Sequence, residues 1–363
     1  MKDIFRFCCA LLTLATLAAV AFAQEGPTRA EFECLSLNTS SGVAFATGTT
    51  SADSYHHIWT PVLTYGKFKS HGLELLYETQ GDGSEVVVVL HGGPGLPHEY
   101  YHPMLSNLSR YAKVVYFDRR ANMASQSEPH RAVRVAEMAD DVEALRQALG
   151  VERVTLLGHS FGTTIALDYA LRYPNHTRRL ILVSGAAAVE NPAEAEKRLV
   201  GALSPVEMER YRSEGGTDNA NPCERVRRRY AVLYPHYFYK QIPYEFDRGF
   251  YTVYFDSLAK KLALADDKQE LDVLDKLSSI KVPVLVVAGR HDLVTTVKQS
   301  YELAQALPQS RFVVLEHSGH FPIFEENYLF TEWTRQFMDG TAASESVRVL
   351  PVAATRASAG GKR

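Results

Sequence analysis

The sequence predicts an α/β fold: a doubly wound, mostly parallel sheet with a helical cap inserted before the last two strands. Three observations predict it. From Glu85 onward, short runs of β-branched residues alternate with stretches whose apolar residues recur at helical spacing. That rhythm stops between residues 187 and 277 and then resumes. The composition, 46% apolar and 22% charged over 363 residues, suits one large globular domain carrying an insertion.

The N-terminus comes before this pattern. Lys2 and Arg6 precede an uncharged apolar run, Phe7–Phe22, and Ala21-Phe22-Ala23 has the small-x-small form of a cleavage site. Residues 1–23 therefore read as a signal peptide and the product as secreted or periplasmic, an uncleaved anchor being the alternative. No later stretch is long and apolar enough to span a membrane, so no stable membrane insertion is expected after cleavage. Cys8 and Cys9 fall within the signal. Cys34 and Cys223 remain, either as a disulfide or as two free thiols. Asn38, Asn107 and Asn175 open N-x-S/T sequons. Residues 24–60 lack periodicity and read as an N-terminal arm.

The first part of the core spans 61–186. Phe68–Glu78 reads as two strands around Ser70-His71-Gly72. Glu85–Leu90 (EVVVVL) has the unbroken apolar character of a strand covered on both faces. Strands Lys113–Phe117, Val154–Leu157 and Arg179–Val183 alternate with helices Val133–Leu149 and Thr163–Tyr173, the first stopped by Gly150 and the second by Pro174. Residues 187–277 are helix-like and rich in Glu, Arg and Tyr, and read as a cap over the carboxyl edge of the sheet, where ligands bind in such folds. Its aromatic run, Tyr234, Tyr237, Phe238 and Tyr239, reads chiefly as cap core, with a pocket lining as the alternative. The second part, 278–340, holds strand Val282–Ala288, helix Thr296–Leu307, strand Arg311–Leu315 and helix Tyr328–Phe337. The tail 341–363 is small and polar and reads as disordered.

A net charge of −3 gives no reason to expect nucleic acid as a partner. No dinucleotide fingerprint, phosphate loop or metal-ligand spacing stands out, so neither a cofactor nor a metal is expected. The chemistry lies in four short motifs. Gly158-His159-Ser160-Phe161-Gly162 is a G-x-S-x-G sequence between a strand and a helix, the setting of a nucleophile elbow with Ser160 at its apex. His320, in His317-Ser318-Gly319-His320 after the last strand, is the candidate base, with His317 its rival. Asp292, in Gly289-Arg290-His291-Asp292 after the preceding strand, is the candidate acid that would orient the imidazole. His91-Gly92-Gly93-Pro94-Gly95 follows the first buried strand. The backbone N–H groups of Gly93 and Phe161 are the candidate oxyanion donors.

Together, HGGPG, GHSFG, GRHD and HSGH resemble the proline iminopeptidase family of the α/β-hydrolase fold, over about residues 65–340. The resemblance implies a serine aminopeptidase that releases N-terminal proline or another small residue from short peptides. Ser160, Asp292 and His320 would be its triad, and Gly93 and Phe161 its oxyanion donors. Two stretches depart from the family. His159 and Phe161 stand where Gly and Trp are usual, and Asp118–Ser125 lacks the glycines of the family's D-Q-R-G-x-G-x-S. The same triad could serve a secreted carboxylesterase or other acyl hydrolase, and a non-catalytic binding protein on this fold is the third reading. An aminopeptidase must also meet a charged amine, for which the cap offers Glu207, Glu209, Glu214, Glu224, Glu245 and Asp247.

Overall fold

In the computed structural model, residues 63–93, 98, 101–118, 134–187, 192–214, 228–229, 231–240 and 274–340 are described. The expected signal, N-terminal arm and tail lie outside them, as do Cys34, Cys223, Asn38, Pro94, Gly95, Glu224, Glu245, Asp247 and residues 119–125.

Eight strands form one sheet: β1 (Leu63–Ser70), β2 (Leu73–Gln80), β3 (Val86–Leu90), β4 (Lys113–Phe117), β5 (Val154–His159), β6 (Thr177–Val183), β7 (Val284–Gly289) and β8 (Ser310–Leu315). Their order is β1-β2-β4-β3-β5-β6-β7-β8. β2 runs antiparallel to β1 and β4, and every other neighbouring pair is parallel. The hairpin between β1 and β2 turns on His71 (φ 46°) and Gly72 (φ 79°), two left-handed residues that match strand twist. Among the described residues the helices are α1 (His102–Leu105), α2 (Val135–Ala148), α3 (Phe161–Arg172), α4 (Pro192–Gly201), α5 (Pro205–Glu214), α6 (Val297–Ala306), α7 (Pro322–Glu325) and α8 (Asn327–Met338). The short α1 and α7 carry too little periodicity to show in the sequence.

Strand β3 shows why the run VVVVL contains no polar residue. Val86, Val88 and Leu90 enter the core on one face, with residues of α2, α3 and α6. Val87 and Val89 enter the core on the other, with Leu105 of α1 and Phe330 and Trp333 of α8. All five are buried, and each such side chain contributes about 1.5–3 kcal/mol relative to exposure.

Helix α2 is tied to α3 by a polar node. Glu143 accepts from Arg146 (2.7 and 2.9 Å), Gln147 (3.0 Å) and the hydroxyl of Tyr169 (2.9 Å). The insertion between β6 and β7 contributes α4, α5 and a 3-10 turn, Tyr234–Tyr237. Leu199, Leu233, Tyr234, Tyr237 and Phe238 pack there against Phe321 in a third apolar cluster. Three of the four aromatic residues of the run are thus buried in that cluster. The fourth, Tyr239, is partly exposed and stacks on His291. Of the two described sequons, Asn107 gives its amide to Asn327 (3.1 Å) and Asn175 is exposed.

Candidate active site

Strand β5 runs two residues further than its apolar pattern suggests, and α3 starts two residues earlier. The whole reversal falls on Ser160, whose φ of 51° and ψ of −121° lie outside the regions open to most side chains. Neighbouring strands hold this strained residue in place: its N–H donates to Val183 of β6 (2.9 Å), and its carbonyl accepts from the N–H (2.9 Å) and hydroxyl (2.7 Å) of Thr163. The two motif glycines permit the close approach. A Cβ on Gly162 would overlap the Leu90 carbonyl oxygen, and one on Gly158 would sit 2.6 Å from the Gly162 oxygen.

The candidate base and acid arrive from the ends of β8 and β7, on the same sheet edge. His320 Nε2 lies 3.0 Å from Ser160 Oγ, and His320 Nδ1 lies 2.8 Å from Asp292 Oδ2. Asp292 and His320 are both buried. The second carboxylate oxygen, Oδ1, accepts the backbone N–H groups of Val294 and Thr295, each at 2.8 Å. Asp292 is therefore fixed as an acceptor toward Nδ1–H, which leaves Nε2 to take the serine proton. The rival His317 lies outside this line. Its backbone N–H donates to Glu326 (2.9 Å), and its ring stacks beside Tyr239.

The loop after β3 reaches the nucleophile. A Cβ built on Gly92 would stand 3.2 Å from Ser160 Cβ and 2.9 Å from His159 Nδ1. The next residue, Gly93, takes a φ of 51°. Phe161 opens α3, so its backbone N–H belongs to the positive end of that helix.

Three groups that the sequence reading passed over hold the base loop. His159 Nε2–H donates to the His320 carbonyl (2.7 Å), which joins the elbow directly to the base. Burial first, and then the neighbouring His320, hold the His159 imidazole down at about 3, so it is neutral at any working pH. Tyr237 of the cap accepts the His320 N–H (2.6 Å). Glu325 accepts the N–H groups of Gly319 (2.7 Å) and Tyr239 (2.6 Å), clamping base loop to cap. Burial pushes its carboxyl up to about 7 despite those two bonds. The acid loop is also tied to the cap, because Arg198 of α4 donates to the carbonyls of Leu293 and Val294, each at 2.8 Å. His159 and Tyr237 had a sequence signal, in the elbow motif and the aromatic run respectively; Glu325 and Arg198 had none.

Of the cap carboxylates, Glu207 closes a capping box at the start of α5. It accepts the Ser204 N–H (2.8 Å), and Ser204 Oγ accepts the Glu207 N–H (3.3 Å). It also meets His236 at 3.2 Å. Glu209 is exposed.

A family model described as alpha/beta hydrolase fold matches residues 85–327. A proline iminopeptidase of Saccharolobus solfataricus is 29% identical over 276 residues, covering 73% of this chain and 87% of that protein. A candidate carbamate hydrolase, RutD, of Agrobacterium fabrum is 27% identical over 266 residues, 72% of this chain and 97% of that one. Among solved structures, a thermophilic esterase from Thermogutta terrifontis superposes with a TM-score of 0.59 at 22% identity, over 76% of this chain and 98% of the esterase.

Proposed function

The chain belongs to the alpha/beta hydrolase fold family, and on that premise we propose that it is a serine hydrolase working through an acyl-enzyme. The observation that carries this is the unbroken line from Asp292 through His320 to Ser160, at 2.8 and 3.0 Å. In the proposed reaction His320 Nε2 takes the proton of Ser160 Oγ as the oxygen attacks a substrate carbonyl. Asp292 holds the imidazolium that forms. The negative carbonyl oxygen is received by the N–H groups of Gly93 and Phe161. His320 then passes its proton to the leaving amine or alcohol and activates the water that frees Ser160. The insertion between β6 and β7 would serve as a substrate-facing cap, its described parts being tied to the acid loop through Arg198 and to the base loop through Tyr237.

For the substrate we propose a short peptide with a free N-terminus, cleaved to release proline or another small residue. The HGGPG sequence of the loop after β3 and the likeness to proteins named proline iminopeptidase support this. A second reading, hydrolysis of a small ester or other acyl compound, draws on the likeness to a candidate carbamate hydrolase and on Glu207, which is engaged within its own helix cap.

The test compares a proline arylamide, an alanine arylamide, an N-blocked proline arylamide and a short p-nitrophenyl ester, each with wild type and Ser160→Ala. Turnover of the free-amine arylamides, its loss on N-blocking, and a fall in kcat of about 10⁴-fold or more in the variant are the expected results. Turnover of the ester alone would remove the peptidase reading and leave the acyl hydrolase. Activity undiminished in Ser160→Ala would overturn both.

A further inference from the structure

Glu78, His98 and His102 form a second cluster, distinct from the proposed triad. Glu78 lies on β2, His98 follows the Gly93 loop by five residues, and His102 opens α1. One ligating atom from each lies within 4.8 Å of the other two. Glu78 Oε2 is 2.9 Å from His102 Nε2 and 3.3 Å from His98 Nε2.

We propose that this cluster binds a divalent transition ion of the zinc type. Three observations support it. The first is spacing: with metal–ligand bonds of 2.0–2.1 Å, a tetrahedral ion spaces its donors about 3.3 Å apart, close to the two separations seen. The second is burial without a well-directed bond: Glu78 Oε2 and His102 Nε2 are shielded from solvent and 2.9 Å apart, yet their geometry makes no hydrogen bond among the described residues. The third is the environment of His98. Its other ring nitrogen, Nδ1, lies 3.0 Å from Oδ1 of Asp118, a buried carboxylate that also accepts the His98 backbone N–H (3.1 Å). A carboxylate beside the second ring nitrogen is the usual neighbour of a ligating imidazole, whose tautomer and basicity it sets when the two bond.

Two imidazoles and one carboxylate oxygen are a donor set for zinc, with a fourth position left open. A dication there also cancels the charges of Glu78 and Asp118 in a site partly closed to water. A depression of about 350 Å³, lined by Tyr65, Lys67, Tyr77, Glu78, His98 and Asp118, gives access to it. The bound ion would pin the segment that follows Gly93 to β2 and to the end of β4. Two of the ligands, His98 and His102, stand in the sequence interval His98-Glu99-Tyr100-Tyr101-His102, a metal-ligand spacing, and the fold adds the third, Glu78, from β2.

The experiment uses the full-length protein freed of metal by chelation and titrated with Zn²⁺ by calorimetry. The expected result is one equivalent bound and a raised Tm. Glu78→Gln and His102→Ala abolish the single-equivalent binding, and Asp118→Asn weakens it by about 10–100-fold. His71→Ala, an exposed histidine paired with Asp140, leaves the stoichiometry at one. Far-UV circular dichroism establishes that each protein tested is folded. Titration of wild type with Co²⁺ is a second readout that needs no variant, and a strong visible band of tetrahedral type is expected. Folded wild type that binds no Zn²⁺ and gives no Co²⁺ band would overturn the proposal. So would undiminished Zn²⁺ affinity in folded Glu78→Gln and His102→Ala, which would leave the cluster as an ion-pair network.

Discussion

His159 and Glu325 both grip the base loop, and burial perturbs both in opposite directions for stability. His159 is held at about 3, below its ordinary value near 6.5. Between those values the unfolded chain binds a proton that the folded chain refuses, so this residue makes stability fall as pH drops through that window. Glu325 is raised to about 7 from 4.5. Here the folded chain binds the extra proton, so stability falls as pH rises from about 4.5 to 7. The two slopes oppose each other near pH 5–6, and substitution separates them. Glu325→Gln is expected to lose the falling component, so its Tm declines less than that of wild type between pH 4.5 and 7. Parallel Tm curves for the two proteins would show that Glu325 ionises as an ordinary surface carboxyl. His159→Phe keeps a ring between His320 and Phe321, each 5.0 Å away, but cannot donate to the His320 carbonyl. Leaving that buried acceptor unmet costs about 1–3 kcal/mol. The expected kinetic result is a kcat about tenfold lower with KM little changed, partly restored in His159→Gln, whose amide can still donate. Equal kcat in wild type and His159→Phe would show that the bond does not position the base.

At the scale of elements, the site depends on backbones lying closer than side chains allow. The helix α3 sits on the end of β3 through Gly162, and the acid strand β7 meets the base loop through Gly289, where an added Cβ would overlap the Gly319 carbonyl oxygen. Neither neighbour is a flexible side chain that could swing aside. Gly162→Ala is expected to destabilise by about 3 kcal/mol, the upper end for overpacking, read as a lower denaturant midpoint. Because the strain falls on the elbow, Ser160 labelling by a fluorophosphonate should slow in the fraction that folds. Wild-type stability together with wild-type labelling would mean that β3 can retreat from α3. The Gly66 position shows the same crowding with a different neighbour: the atoms nearest to a Cβ there belong to the ring of Tyr77, a side chain that can move.

For the molecule as a whole, the proposed triad draws on two halves of the sheet that the insertion separates in sequence. Ser160 comes before it, Asp292 and His320 after it, and the parallel register of β5, β6, β7 and β8 places all three on one edge. The insertion in turn braces what it separates, through Arg198 to the acid loop and through Tyr237 and Tyr239 to the base loop and its clamp.

The sheet strands, the four long helices of the sheet layers and the two described helices of the insertion were open to reading in different degrees. EVVVVL, KVVYF and VPVLVV announce buried strands because a strand covered on both faces has no polar alternate positions. Ser160, Asp292 and His320 were legible because each stands just past a strand or at a strand-to-helix turn, where a parallel sheet gathers its loop residues. The sequence by itself determined which side chains meet along that edge. It could not determine what steadies them. The His159–His320 bond and the Glu325 clamp to Tyr239 join segments far apart in the chain, and Glu78 meets the His98–His102 pair from another element; no local periodicity records a contact made across the fold. Burial, and with it the charge state of His159 and Glu325, exists only once those segments have packed and water has been excluded; that was decided by the tertiary structure alone.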